Sequence, residues 1–110
     1  MINVDIILPA YNSGKYIEET LNSIIDQSFT NWNLIVIDDA STDNTANLIK
    51  KYLEDKRIRL IKIKKNKGAG FCRNFCLRHA QSKYVAFIDS DDIWSKNKLK
   101  EQVKFMDDND

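Results

Sequence analysis

The chain is short of almost everything that marks a chain as something other than one folded domain. It has one proline and three glycines in 110 residues, against 43% hydrophobic residues, which excludes a disordered composition. Neither sign of charge prevails: 17 basic against 16 acidic residues leave +1, so bulk charge points to no nucleic-acid or acidic partner. No apolar run approaches about 18 residues, so no membrane-spanning helix is expected. The opening MINVDIILPAYN is interrupted by Asp5 and has no basic segment, so a cytoplasmic setting without a signal peptide is expected. The two cysteines, Cys72 and Cys76, stand four apart on a segment with helical periodicity, poorly placed for a strain-free disulfide. Two small buried thiols are expected, because a zinc site built with the single histidine, His79, lacks further ligands.

What is present is regular alternation, enough for one domain with a modest core. Residues 4–9 are a short β-rich run, followed by helical spacing of Ile17, Leu21, Ile24 and Ile25. Residues 33–39 form a near-continuous apolar strand of the kind buried on both faces. Residues 41–55 read as a helix capped by Ser41 or Thr42. Residues 57–64 read as an edge strand, where Arg59, Lys62 and Lys64 discourage stray pairing. A third helix over 68–81 places Phe71, Cys72, Phe75 and Cys76 on its apolar side with Arg73 at the border. A fourth strand over 83–89 precedes a helix over 95–108, with Ser95 as N-cap and Trp94 and Leu99 at staple positions. The order β-α-β-α-β-α-β-α implies an α/β fold, a parallel sheet with helices on both faces. The expected strand order is 3-2-1-4, with ligands binding beyond the carboxyl ends of strands 1 and 4.

Four polar loops should converge there. After strand 4 comes Asp89-Ser90-Asp91-Asp92, where i and i+2 alternation lets Asp89 and Asp91 share a hard cation, Mg²⁺ or Mn²⁺, with phosphate oxygens completing its shell. A solvated acidic turn is the plain alternative. After strand 2, Asp38 and Asp39 can accept from a base N–H or a ribose hydroxyl, or simply make a turn. After strand 1, Tyr11 can pack on a base and Asn12 hold a turn, or serve as loop aromatic and helix cap. After strand 3, Lys64, Lys65, Lys67 and Arg73 surround a Gly-Ala-Gly opening a helix, a phosphate cradle or a solvated basic turn.

Taken together, PAYN, VIDDASTDNT, NKGAGFCRN and FIDSDDIW, in this order and at these spacings, resemble the nucleotide-sugar-binding half of family 2 inverting glycosyltransferases. The resemblance covers essentially the whole chain and implies the Rossmann-like part of a GT-A fold. It also implies a nucleotide-diphospho-sugar donor, UDP-linked, and a divalent metal, Mn²⁺ or Mg²⁺. Pro9, Ala10, Tyr11 and Asn12 then form the loop beneath the nucleotide, with Tyr11 against the base, and Asp39 contacts the base. Arg73 helps bind the donor, and Asp89 and Ser90 belong to the same pocket. Asp91 is the direct metal ligand, while Asp89 faces ribose or ligates through water. Cys72 and Cys76 depart from the family's alanine and glycine, both small replacements.

The family's second half carries the acceptor site and the catalytic base, so residues 1–110 are expected to be a truncated donor-binding domain. Asp92, Asp107, Asp108 and Asp110 are spare acids, but none is assigned as base. The chain alone is expected to bind a UDP-type ligand weakly and to transfer little sugar, the hydroxyl acceptor belonging to the longer enzyme, and to self-associate through exposed apolar surface. A non-catalytic nucleotide-binding module is the first alternative. A D-x-D phosphatase is the second, although its motif normally comes early in the chain. A calcium loop lacks its glycine and final glutamate, and a phospho-receiver lacks a late strand bearing lysine.

Overall fold

The computed structural model describes residues 3–109, so Asp110, one of the spare acids, lies outside the described residues. The elements alternate without exception: β1 (Val4–Ala10), α1 (Ile17–Ile25), β2 (Trp32–Asp38), α2 (Thr45–Lys50), β3 (Ile58–Lys62), α3 (Ala69–Leu77), β4 (Tyr84–Phe87) and α4 (Lys98–Asp108). All strand pairs are parallel, in the order β3-β2-β1-β4 that the alternation predicts. β1 is the hub, with Ile7 level with Ile35 on one side and Phe87 on the other.

Strand alternation divides the core in two. Val4, Ile6, Leu8, Leu34 and Val36 face one layer, where α1, α2 and α4 contribute Ile17, Leu21, Ile24, Ile49, Leu99 and Val103. Ile7, Ile35 and Ile37 face the other, which α3 covers with Cys72 and Cys76. Each fully buried Ile or Leu contributes roughly 1.5–3 kcal/mol of hydrophobic stabilisation, so the three-helix face holds most of it. Burial raises both thiols to about 11; at Cys72 the neighbouring Asp39 charge adds to the effect. Both cysteines are free, as expected of inert core thiols.

Several local expectations change. The helix read over 41–55 is only Thr45–Lys50, and neither Ser41 nor Thr42 caps it. Ser41 and Thr42 instead bond to Asn12 across the gap between loops. α4 starts at Lys98 with Asn97, not Ser95, at its cap position; Trp94 and Leu99 nevertheless share one core cluster. Phe71, placed on the apolar side of α3, is 45% exposed, because Cys72 and Cys76 take the inward positions. Among the described residues no helix is long and apolar enough to cross a membrane.

Candidate functional site

Parallel strands deliver their loops to one edge, and at the carboxyl ends of β1, β2 and β4 those loops close around a cleft of about 170 Å³. Pro9, Ala10 and Tyr11 line it from β1, Asp39 from β2, Ala69 from the start of α3, and Asp89 and Ser90 from beyond β4. Six of the site residues expected from sequence therefore share one small volume. Tyr11 is half-exposed at its rim.

The two acidic loops are built differently. Asp38 and Asp39 are both buried, and their carboxylates accept from backbone amides. Asp38 Oδ1 accepts from Ser41 N–H at 3.2 Å. Asp39 Oδ1 and Oδ2 accept from the amides of Lys67 and Gly68 at 2.7 and 2.8 Å, which ties the end of β2 to the entry of α3. Asn66 Nδ2 donates to the Asp39 carbonyl. The amides entering α3, expected to face a phosphate, are thus answered by an internal anion. Gly68 has φ +90°, a conformation that suits glycine. Ala40, directly after Asp39, has φ +61°, strain of the kind stored beside functional sites.

Asn12 does not line the cleft. Its Oδ1 accepts from the amides of Thr42 and Asp43, and its own amide donates to Ser41 Oγ. Asn12 is therefore the turn-holder of its two readings, not a helix cap. Beside it, Ser13 N–H donates to Thr45 Oγ1 and Gly14 N–H to Asp43 Oδ2. At Asp43, which is exposed, slight desolvation pushes the carboxyl up. Hydrogen bonds from the Thr45 hydroxyl, then the Thr45 and Gly14 amides, outweigh it and hold the group below the ordinary 3.8. A Cβ at position 14 would meet Asn44 Oδ1 at 2.1 Å, so any larger residue there would have to displace the exposed Asn44 side chain.

Beyond β4 the carboxylates are unspent. The strand ends at Phe87, and Asp89 to Asp92 form a turn closed by Asp92 N–H to Asp89 O at 3.0 Å. The i, i+2 alternation invoked for Asp89 and Asp91 therefore does not operate, because the pair lies in a turn and not on a strand. Asp89 lines the cleft, whereas Asp91 stands exposed two residues further on. Asp89 has one loose partner, Arg73 Nη1 at 3.9 Å, with a side chain 69% exposed, an ion pair of little energetic consequence. Arg73 lines a neighbouring cavity of about 450 Å³ with Asp89 and Asp92, not the cleft itself. Among the described residues no hydrogen bond reaches the carboxylates of Asp91 or Asp92, and no group of three or more His, Cys, Asp or Glu forms a metal cage. The open carboxylates of Asp89 and Asp91, two positions apart, are nonetheless a hard-oxygen donor set that suits Mg²⁺ or Mn²⁺ when a phosphate supplies further oxygens.

Ser13 was not legible as a site residue. It is buried, and its Oγ lies 2.6 Å from Ser90 Oγ, joining the β1 loop to the acidic turn. A hydroxyl between Asn12 and Gly14 looks like ordinary loop polarity, and only the fold brings residue 90 to it.

A model described as Glycosyl transferase family 2 matches residues 5–110. The chain is 46% identical over 104 residues to TuaG of Bacillus subtilis (strain 168), by its name a glycosyltransferase of teichuronic acid biosynthesis; the match takes in 94% of this chain and 41% of TuaG. The structure of S. aureus TarS in complex with UDP superposes with a TM-score of 0.91 at 37% identity, covering 97% of this chain and 32% of that one. The mannosyltransferase PcManGT from Pyrobaculum calidifontis, in complex with GDP-Man and Mn²⁺, gives 0.88 at 30% identity, covering 94% and 32%. The four-stranded sheet is thus that of the Rossmann-like GT-A fold, and the chain spans well under half the length of these relatives.

Proposed function

The chain belongs to glycosyltransferase family 2, and from that premise we propose that it is the donor-binding part of a longer inverting enzyme that transfers a sugar from a UDP-linked donor to an acceptor hydroxyl. The observation that carries this reading is the single cleft uniting Tyr11, Asp39, Asp89 and Ser90 from three strand ends. The bound UDP of TarS and the Mn²⁺ of PcManGT, in folds this similar, support the donor class and a divalent metal, Mn²⁺ or Mg²⁺.

In this reading Tyr11, half-exposed at the rim, stacks on the base above the Pro9–Ala10 floor. Asp39 already accepts two amides, but each oxygen keeps a second lone pair, and one accepts from the base N–H. Asn12 acts by holding the loop, a smaller role than direct contact. Asp91 ligates the metal directly, Asp89 faces ribose or ligates through water, and Ser90 lines the pocket between them. Arg73, from the adjoining cavity, steadies the donor phosphates. A bound divalent metal supplies charge neutralisation for the departing diphosphate. The acceptor's proton goes to a base outside this chain's assigned residues, and the acceptor oxygen displaces the diphosphate in line at the anomeric carbon, inverting it. A cytoplasmic setting belongs to the same proposal. So does self-association through Phe87, Ile93 and Phe105, each at least 46% exposed; light scattering that finds only monomer at high concentration removes that part.

Calorimetric titration with UDP and GDP, with and without Mn²⁺, tests the reading. Metal-dependent UDP binding by the wild type, lost in Asp91→Ala, is the expected result. If neither nucleotide binds, the donor site is wrong; if Asp91→Ala keeps the metal dependence, the ligand is misassigned. Robust sugar transfer by the chain alone would refute the missing base.

A further inference from the structure

The acidic turn presents a mechanical problem. Residues 88–97 have no helix or strand of their own, yet they carry three aspartates in four positions and bury one side chain beyond them, Trp94. Something must hold their backbone without touching the carboxylates. That something is one face of α1 and its C-terminal extension.

Thr20, Ser23 and Gln27 recur at i, i+3 and i+7, a single helical ridge. Thr20, fully buried, donates its hydroxyl to the Ser90 carbonyl at 3.0 Å, the nearer of its two acceptors, with the Tyr16 carbonyl at 3.3 Å. Ser23 Oγ accepts from Trp94 N–H at 3.1 Å. Gln27, buried, donates through Nε2 to the Ser95 carbonyl at 2.7 Å and accepts Leu99 N–H at Oε1 at 3.0 Å. Ser13 closes the near end by its 2.6 Å contact with Ser90 Oγ. Four polar side chains thus bond a segment of ten residues from behind, and none of them touches Asp89, Asp91 or Asp92.

We propose that this ridge is a positioning device: Thr20, Ser23 and Gln27 fix the backbone of residues 90–99 so that the acidic turn is held ready for a metal-bound diphosphate before one arrives. The inference rests on the donor-site reading for its ligand, but the holding itself is independent of any ligand. None of the three is a catalytic residue; they act through Ser90 and the segment behind it. Preorganisation of this kind raises affinity by removing the ordering cost at the moment of binding, and two extra like charges make an unheld turn costly to order.

The test has two arms. In the ligand-free protein, amide hydrogen exchange over residues 89–97 should run about tenfold faster in Thr20→Val and Ser23→Ala, while β1 and β2 stay unchanged. In calorimetry, the gain in UDP affinity on adding Mn²⁺ should fall about tenfold in the same variants, with binding in the absence of metal little altered. Thr20→Ser restores the hydroxyl and should restore both readouts. Unchanged exchange over 89–97 overturns the holding role. Faster exchange with an unchanged metal increment, or failure of Thr20→Ser to rescue, overturns the positioning role and leaves a structural bond. Absence of any UDP binding by the wild type sinks the donor-site reading and the positioning role with it, while the exchange arm still decides whether the ridge holds the loop.

Discussion

Aspartates follow two of the strands, closing β2 at Asp38 and coming two residues after β4, and the two groups have opposite fates. Asp38 and Asp39, after β2, are buried and bonded to amides. Asp89, Asp91 and Asp92, after β4, stay exposed, with their backbone held from behind by α1. A buried carboxylate is tolerable only when hydrogen bonds replace its water, and the β3–α3 loop supplies them at the first turn. Among the described residues no backbone amide donates to the carboxylates of the second, which stay exposed, so its charge remains available. The first pair holds the architecture, with Asp39 also lining the cleft, and the three acids of the second stay open to a ligand.

The sharpest way to break this contrast is to remove one acid from each. Asp39→Ala leaves the amides of Lys67 and Gly68 without their acceptor and should cost about 2–4 kcal/mol in denaturant unfolding. Asp91→Ala should change stability by less than about 0.5 kcal/mol. Equal losses would mean that the second turn is as structural as the first. Next in size, Gly68→Ala should cost about 1–2 kcal/mol. A Cβ there meets open space, so its φ of +90° is the main penalty. A neutral effect would show that the Asp39 clasp tolerates another backbone.

A smaller effect is expected in acid. The Asp43 carboxyl lies below its ordinary 3.8 when folded, so the unfolded chain takes up its proton first as pH falls. Its stabilisation is complete above that value and is lost as pH drops through and below it. An acid titration followed by circular dichroism should therefore be flatter for Asp43→Asn than for the wild type. The smallest effect concerns thiol chemistry. Cys72 is raised to about 11 first by burial and then by Asp39. Asp39→Ala should speed its labelling by a disulfide reagent at mildly alkaline pH, and Asp91→Ala should leave the rate unchanged.

Much of the fold was legible because it rests on periodicity. The β-α alternation, the apolar run of β2 and the charged edge of β3 yield the sheet order directly, as the parallel register confirms. Element ends were less legible. Ser41 and Thr42 look like caps, since nothing local reveals that Asn12, about 30 residues earlier, claims them. The site was legible as a set of loops, and the cleft unites six of its expected residues. Asn12, Arg73 and Asp91 do not line it, for the same reason: a side chain's direction is settled by its neighbours in space.

By itself, then, the order of residues determined which segments are strands and helices, which strand lies beside which, and that acids gather at one edge. These follow from local propensity and from the handedness of parallel crossovers, which leave few alternatives. Only the tertiary structure decided which aspartates are bonded to backbone amides and which stay exposed, and that Thr20, Ser23 and Gln27 bond the segment carrying the acidic turn. Hydrogen bonds spanning 68 to 72 residues of sequence, such as those from Gln27 to Ser95 and Leu99, have no local signature. They exist because packing α1 and α4 on the same face of the sheet brings those groups within reach.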